Sequence, residues 1–171
     1  MVNDNTRAQQ RLRSRPASEY VSRVTKATGG KLDRTDLETI ASVPLFQGMS
    51  KRQLRSLSAR VKVVRYGEGR TVIARGVASG GSMFVLLDGT ARVVRGNRTA
   101  RRLVPGDVFG ELTLLDGEPR SASVITDTPV VTARLPRSAF LDLVRTDPSI
   151  GVHMMEVLAR RLRDCERSQD V

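Results

Sequence analysis

The sequence holds one cysteine, one histidine and no tryptophan in 171 residues, and aromatic side chains make up only 4% of it. A lone cysteine, Cys165, rules out an intramolecular disulfide framework and fits a reducing compartment, so a cytoplasmic protein is expected. A lone histidine, His153, is too few for a histidine-rich metal centre, and no nucleophile elbow accompanies it to make a Ser-His-Asp triad. An enzyme is therefore not expected, nor a metal or organic cofactor. No apolar run approaches the roughly 18 residues a membrane-crossing helix needs. Acidic residues are also scarce, 18 against 29 basic ones, for a net charge of +11. With 39% hydrophobic residues and so few aromatics, the core must be built from Val, Leu, Ile and Ala.

Residues 1–32 read as a basic flexible arm, with seven cations against Asp4 and Glu19 and a closing Gly29-Gly30. The ordered domain is expected over 33–171. Thr35-Asp36-Leu37-Glu38 has the form of a capping box opening a helix that runs to Ser42, and Ser50-Lys51-Arg52-Gln53 opens a second one. Leu45 and Phe46 between them are a candidate core plug. From Val61 the apolar period becomes two, with turns every 8–12 residues, so a β-roll or sandwich is expected over about 61–135. Asp88-Gly89 predicts a hairpin joining Met83–Leu87 to Thr90–Arg95. Residues 137–168 turn helical again. Ile150, Met154, Leu158 and Leu162 recur there at i+4 and predict one apolar face of about four turns.

The stretch Pro105 to Val124 interrupts the roll. Gly110 lets backbone N–H groups approach a ligand closely, and the turn through Glu111, Leu112 and Thr113 can aim its N–H groups at an anion. Leu112, Leu114 and Leu115 are expected to pack inward. Arg120, between Pro119 and Ser121, can close on the same anion with its planar fork. A carboxylate at Glu111 would repel a bare phosphate, so the ligand must also bring a hydroxyl group. A sugar phosphate has both.

Phe109-Gly110-Glu111-Leu112 followed by Pro119-Arg120-Ser121-Ala122 resembles the phosphate-binding cassette of cyclic nucleotide-binding domains, as found in catabolite-activator-type regulators and protein kinase regulatory subunits. The resemblance covers about Asp36 to Glu166. It implies a mainly β fold, a jelly-roll-like β-roll with N-terminal helices and a C-terminal helix. It also implies that Arg120 holds the cyclic phosphate, Glu111 the ribose 2′-hydroxyl, Gly110, Leu112 and Thr113 main-chain contacts, and Ser121 and Ala122 the phosphate and base. Ser121, rather than a threonine, resembles cAMP-preferring bacterial members and implies a mild preference for cAMP over cGMP. Thr113 stands where the family often has a smaller residue. No aromatic residue follows Phe140 to cap the base, which leaves Arg161, Arg163 and Cys165 as capping candidates.

The resemblance further implies a sensor that signals to a protein partner through its C-terminal helix, with a homodimer through that helix as an option. No helix-turn-helix follows that helix before Val171, so a stand-alone sensor is expected and direct DNA binding is not. Two other readings stay open: a degenerate roll acting as a nucleotide-independent interaction module, and a basic nucleic-acid-binding protein.

Overall fold

A computed structural model describes residues 32–77 and 81–167. Two helices, α1 (Arg34–Ser42) and α2 (Lys51–Ser58), precede eight strands: β1 (Lys62–Tyr66), β2 (Thr71–Ile73), β3 (Ser82–Asp88), β4 (Ala91–Arg95), β5 (Arg98–Leu103), β6 (Val108–Phe109), β7 (Ser123–Thr126) and β8 (Val130–Pro136). The short helix α3 (Glu111–Asp116) lies between β6 and β7, and α4 (Arg137–Thr146) and α5 (Pro148–Arg167) follow β8. The strands form two antiparallel four-stranded sheets, ordered β1-β8-β3-β6 and β2-β7-β4-β5. This is the β-roll with flanking helices that the turn spacing predicts.

Strand β3 explains where the core sits. Successive side chains of a strand point to opposite faces, and from Ser82 to Leu86 all of them are buried. Met83 and Val85 join a cluster with Leu45, Leu114, Phe140, Leu143, Ile150 and Met154, which ties the first sheet to the helices. Phe84 and Leu86 point the other way, into a cluster with Ile73, Ala91, Leu103, Phe109 and Val124 between the two sheets. The first sheet is therefore covered on both faces. The predicted core plug, Leu45 and Phe46, is buried in the helical cluster.

The structure corrects four local expectations. The Asp88-Gly89 turn does not close a hairpin: β3 pairs with β6 and β8, whereas β4 pairs with β5 and β7. The turn carries the chain from one sheet to the other, and Thr90 bonds to the 127–128 segment through its backbone and through Thr128 Oγ1. Gly89 is at φ +81°, and a Cβ there would lie 2.2 Å from the Pro129 carbonyl oxygen, so only glycine fits this corner. The hairpin is instead β4–β5, across Gly96-Asn97.

The first capping box is formed by Asp33 and Asp36 rather than Thr35 and Glu38, because the helix starts at Arg34 with Asp33 as its N-cap; Glu38 pairs with Arg34 at i, i+4. The second, Ser50 with Gln53, forms as expected. Leu112 does not pack inward but is 51% exposed, while Leu114 is fully buried. Finally, the apolar face of α5 is divided: Ile150, Met154 and Val157 are buried, and Met155 and Leu162 are exposed. The arm expected over 1–32 lies outside the described residues except for Leu32, which packs against the helical cluster.

Candidate functional site

The site begins where β6 ends. Phe109 of β6 is paired with Phe84 of β3, and the two rings stack with centroids 5.2 Å apart. This fixes the chain at the point where Gly110 turns it into α3. Gly110 is at φ +78°, and a Cβ there would fall 2.6 Å from Arg120 Nη1, 2.8 Å from the Ser82 carbonyl oxygen and 2.9 Å from Ile73 Cδ1. Both the dihedral and the lack of space require glycine. The helix that follows starts with Glu111, Leu112 and Thr113, whose N–H groups belong to the first turn, where a helix supplies no internal acceptors.

Arg120 is half-buried and is held from several sides. Its Nη1 donates to the Gly110 carbonyl at 2.9 Å and its Nη2 to the Ser82 carbonyl at 2.7 Å. Its own carbonyl accepts from the Gly76 N–H at 2.8 Å, which fixes its backbone against the β2–β3 connection. A guanidinium has five N–H donors, and these two bonds leave donors to spare. Burial lowers the Arg120 pKa from its ordinary value, the like charge of Arg134 lowers it further, and the charge of Glu111 acts in the opposite direction. Burial and Arg134 thus both disfavour the cation, and an anionic ligand would offset them.

A cavity of about 330 Å³ opens over this bend. All seven residues expected to bind a ligand line it: Gly110, Glu111, Leu112, Thr113, Arg120, Ser121 and Ala122. Thr113 is buried at its floor, and Leu112 lies at its rim. The cavity therefore combines a clamped guanidinium, a carboxylate and a helix start, a set suited to an anion that carries a neighbouring hydroxyl. The three capping candidates are placed differently. Arg163 is exposed on α5, with its Nε directed at the Ala159 carbonyl at 3.4 Å, and does not line the cavity. The side chains of Arg161 and Cys165 lie outside the described residues.

The lining also includes two residues the sequence reasoning missed, Arg95 and Arg101. Their signal was the strand period: Arg101 is two residues from buried Leu103, and Arg95 is two from Val93, so each shares an inward face. Among the described residues, no group of three or more His, Cys, Asp or Glu side chains is placed to hold a metal ion.

Residues 63–147 match the family model of the cyclic nucleotide-binding domain. The chain belongs to that family. It is 30% identical over 131 residues to a CRP-like cAMP-activated global transcriptional regulator of Mycobacterium tuberculosis, a match covering 74% of this chain and 58% of the regulator. It is 34% identical over 110 residues to a cAMP-dependent protein kinase regulatory subunit of Aspergillus fumigatus, covering 61% of this chain and 26% of that subunit. Among solved structures, the catabolite activator protein of Thermus thermophilus superimposes with a TM-score of 0.66 at 30% identity, over 74% of this chain and 62% of that one. The chain thus spans less than two thirds of the length of each of these relatives. The cyclic nucleotide-binding domain is the part shared, and the cavity built on Gly110 and Arg120 lies within it.

Proposed function

We propose that this protein is a non-catalytic sensor of a purine 3′,5′-cyclic mononucleotide. The observation that carries the reading is the convergence of the Arg120 fork, the Glu111 carboxylate and the α3 start on one cavity of a size for a small ligand. Arg120 and the N–H groups of Leu112 and Thr113 hold the cyclic phosphate. Glu111 accepts from the ribose 2′-hydroxyl, and Ser121 and Ala122 line the phosphate and the near side of the base. Adenine is favoured by Ser121 and by the names of the relatives, which specify cAMP. A cytoplasmic setting and a protein partner downstream go with this reading.

The output runs through packing. Leu114, on the helix that meets the ligand, is buried in the same cluster as Phe140 and Leu143 of α4 and Ile150 and Met154 of α5. Ligand capture biases the position of α3, and α4 and α5 follow because their shared core is close-packed. A ligand shifts such an equilibrium only by its differential affinity for the two positions. Exposed Met155 and Leu162 are where α5 would meet a partner protein or a second copy.

The test is calorimetric titration, with cAMP and cGMP, of protein stripped of co-purified nucleotide. One ligand is expected to bind per chain with a matching rise in Tm. Absence of heat and of any thermal shift with both nucleotides would overturn the reading and leave the fold assignment standing.

A further inference from the structure

The inward face of the first sheet changes character at one end. On β8 that face runs Val130, Thr132, Arg134, and on β1 it runs Tyr66, Val64, Lys62. Val130, Thr132, Val64 and Tyr66 are buried, whereas Lys62 and Arg134 are exposed. The two cations stand directly opposite each other in register, an arrangement that destabilises a strand pair because like charges repel. Among the described residues, neither enters an ion pair.

A third cation adjoins them. Arg134 pairs in register with Phe84 on its other side, and its Nε donates to the Ser82 hydroxyl at 3.0 Å. Ser82 is buried, and its carbonyl accepts from Arg120 Nη2 at 2.7 Å. One buried serine thus holds two guanidiniums, one by its hydroxyl and one by its carbonyl. The charge of Arg134 is felt at Arg120, where it adds to the effect of burial in disfavouring the cation. It is felt also at the Tyr66 hydroxyl, whose pKa burial raises and Arg134 pulls back. Arg134 itself does not line the cavity, so it acts on a ligand through Arg120 and not by contact.

We infer that Arg134 is a positioning residue of the phosphate site: held by Ser82, it sets a second positive charge behind Arg120, and an anion in the cavity relieves the repulsion between the two. The inference rests on the cyclic nucleotide reading and adds to it a charge that the ligand does not touch. The repulsion weakens the nucleotide-free protein and is offset once the phosphate is in place. One residue therefore acts with opposite signs on the empty fold and on binding. A residue that merely propped Ser82 would support both. The effect follows the charge of the phosphate and is indifferent to the base, so it applies alike to cAMP and cGMP.

The test is titration of the stripped protein with cAMP and cGMP, together with the Tm of the nucleotide-free form, for the wild type, Arg134→Gln and Arg134→Lys. Arg134→Gln is expected to weaken both nucleotides about fivefold, the effect of a charge partly screened by water, while the nucleotide-free Tm stays level or rises. That loss should shrink below about twofold in ~0.5 M salt, which screens charges that are not in contact. Arg134→Lys keeps the charge and is expected to stay within about twofold of the wild type. If Arg134→Gln leaves affinity unchanged, if it lowers the nucleotide-free Tm along with affinity, or if Arg134→Lys is as weak as Arg134→Gln, Arg134 only props Ser82. The inference then falls while the cyclic nucleotide reading stands. If the wild type binds neither nucleotide, both fall together.

Discussion

The two sheets of the roll are built from similar short strands and do different work. In the first, β3 is buried along five consecutive residues because helices cover one of its faces and the second sheet covers the other. In the second, β5 is exposed at every position but Leu103, and its inward face meets the cavity instead of a packed layer. The first sheet holds the fold, and the second faces the cavity. The cassette joins them: β6 pairs with β3 of the first sheet, and the chain then crosses through α3 and Arg120 to β7 of the second.

The comparison is sharpened most by truncating one residue on each sheet. Leu86 on β3 is fully buried, and Leu86→Ala is expected to cost ~2–5 kcal/mol in denaturant unfolding through lost burial and the cavity left behind. Arg102 on β5 is exposed, and Arg102→Ala is expected to stay within about 0.5 kcal/mol. Equal costs would erase the distinction. Next in size is Arg120→Lys, which keeps the charge but loses the fork that bonds Gly110 and Ser82 while leaving donors for a ligand. Cyclic nucleotide affinity measured by calorimetry is expected to drop at least tenfold, with a smaller fall in Tm than for Leu86→Ala. A 2′-deoxy cyclic nucleotide should bind the wild type about tenfold more weakly, since a hydrogen bond to a charged group contributes ~1.5–3 kcal/mol. Glu111→Gln should narrow that difference between the two sugars.

The smallest expected effect lies on the helical side of the first sheet. The Ser149 hydroxyl, bonded to Asp147 at the start of α5, holds that carboxyl below its ordinary value, with the Ser149 N–H, Gln53 and Arg52 helping against the opposing effect of desolvation. A carboxylate depressed in the folded state adds stability above its unfolded pKa and loses it as the pH falls through the folded value. The Tm of the wild type should therefore exceed that of Asp147→Asn near neutrality, and the two should converge below about pH 4. A constant gap at every pH would mean that the bond to Ser149 is indifferent to charge.

How much was legible in the sequence also divides along these lines. The elements with a strong period or cap could be read directly, among them the second capping box, the glycine-punctuated strands and the two C-terminal helices. So could the seven cassette residues that share the cavity: Gly110 to Thr113 and Arg120 from the glycine, carboxylate and arginine of the bend, and Ser121 and Ala122 from the family resemblance. The Asp88-Gly89 corner was not legible. The same dipeptide serves a hairpin or a change of sheet, and what decides is the distant Thr128–Pro129 segment packed against it. Leu112 was misread because a six-residue helix beside a cavity has a solvent-facing rim that the apolar pattern does not reveal. Arg95 and Arg101 were not singled out: each lies two residues from an apolar inward position, Val93 or Leu103, but a charged side chain on a short exposed strand gives no sign that a cavity faces it.

The central claim, that the bend from Gly110 to Arg120 grips a cyclic nucleotide, is tested most directly by residue-resolved amide NMR during titration with cGMP and cAMP. The amides of Gly110, Leu112 and Thr113 and the Arg120 Nε–H are expected to shift together and to saturate at one ligand per chain, with smaller changes reaching α4 and α5. Saturation with either nucleotide that leaves those four signals in place would contradict the account, even if other parts of the spectrum moved.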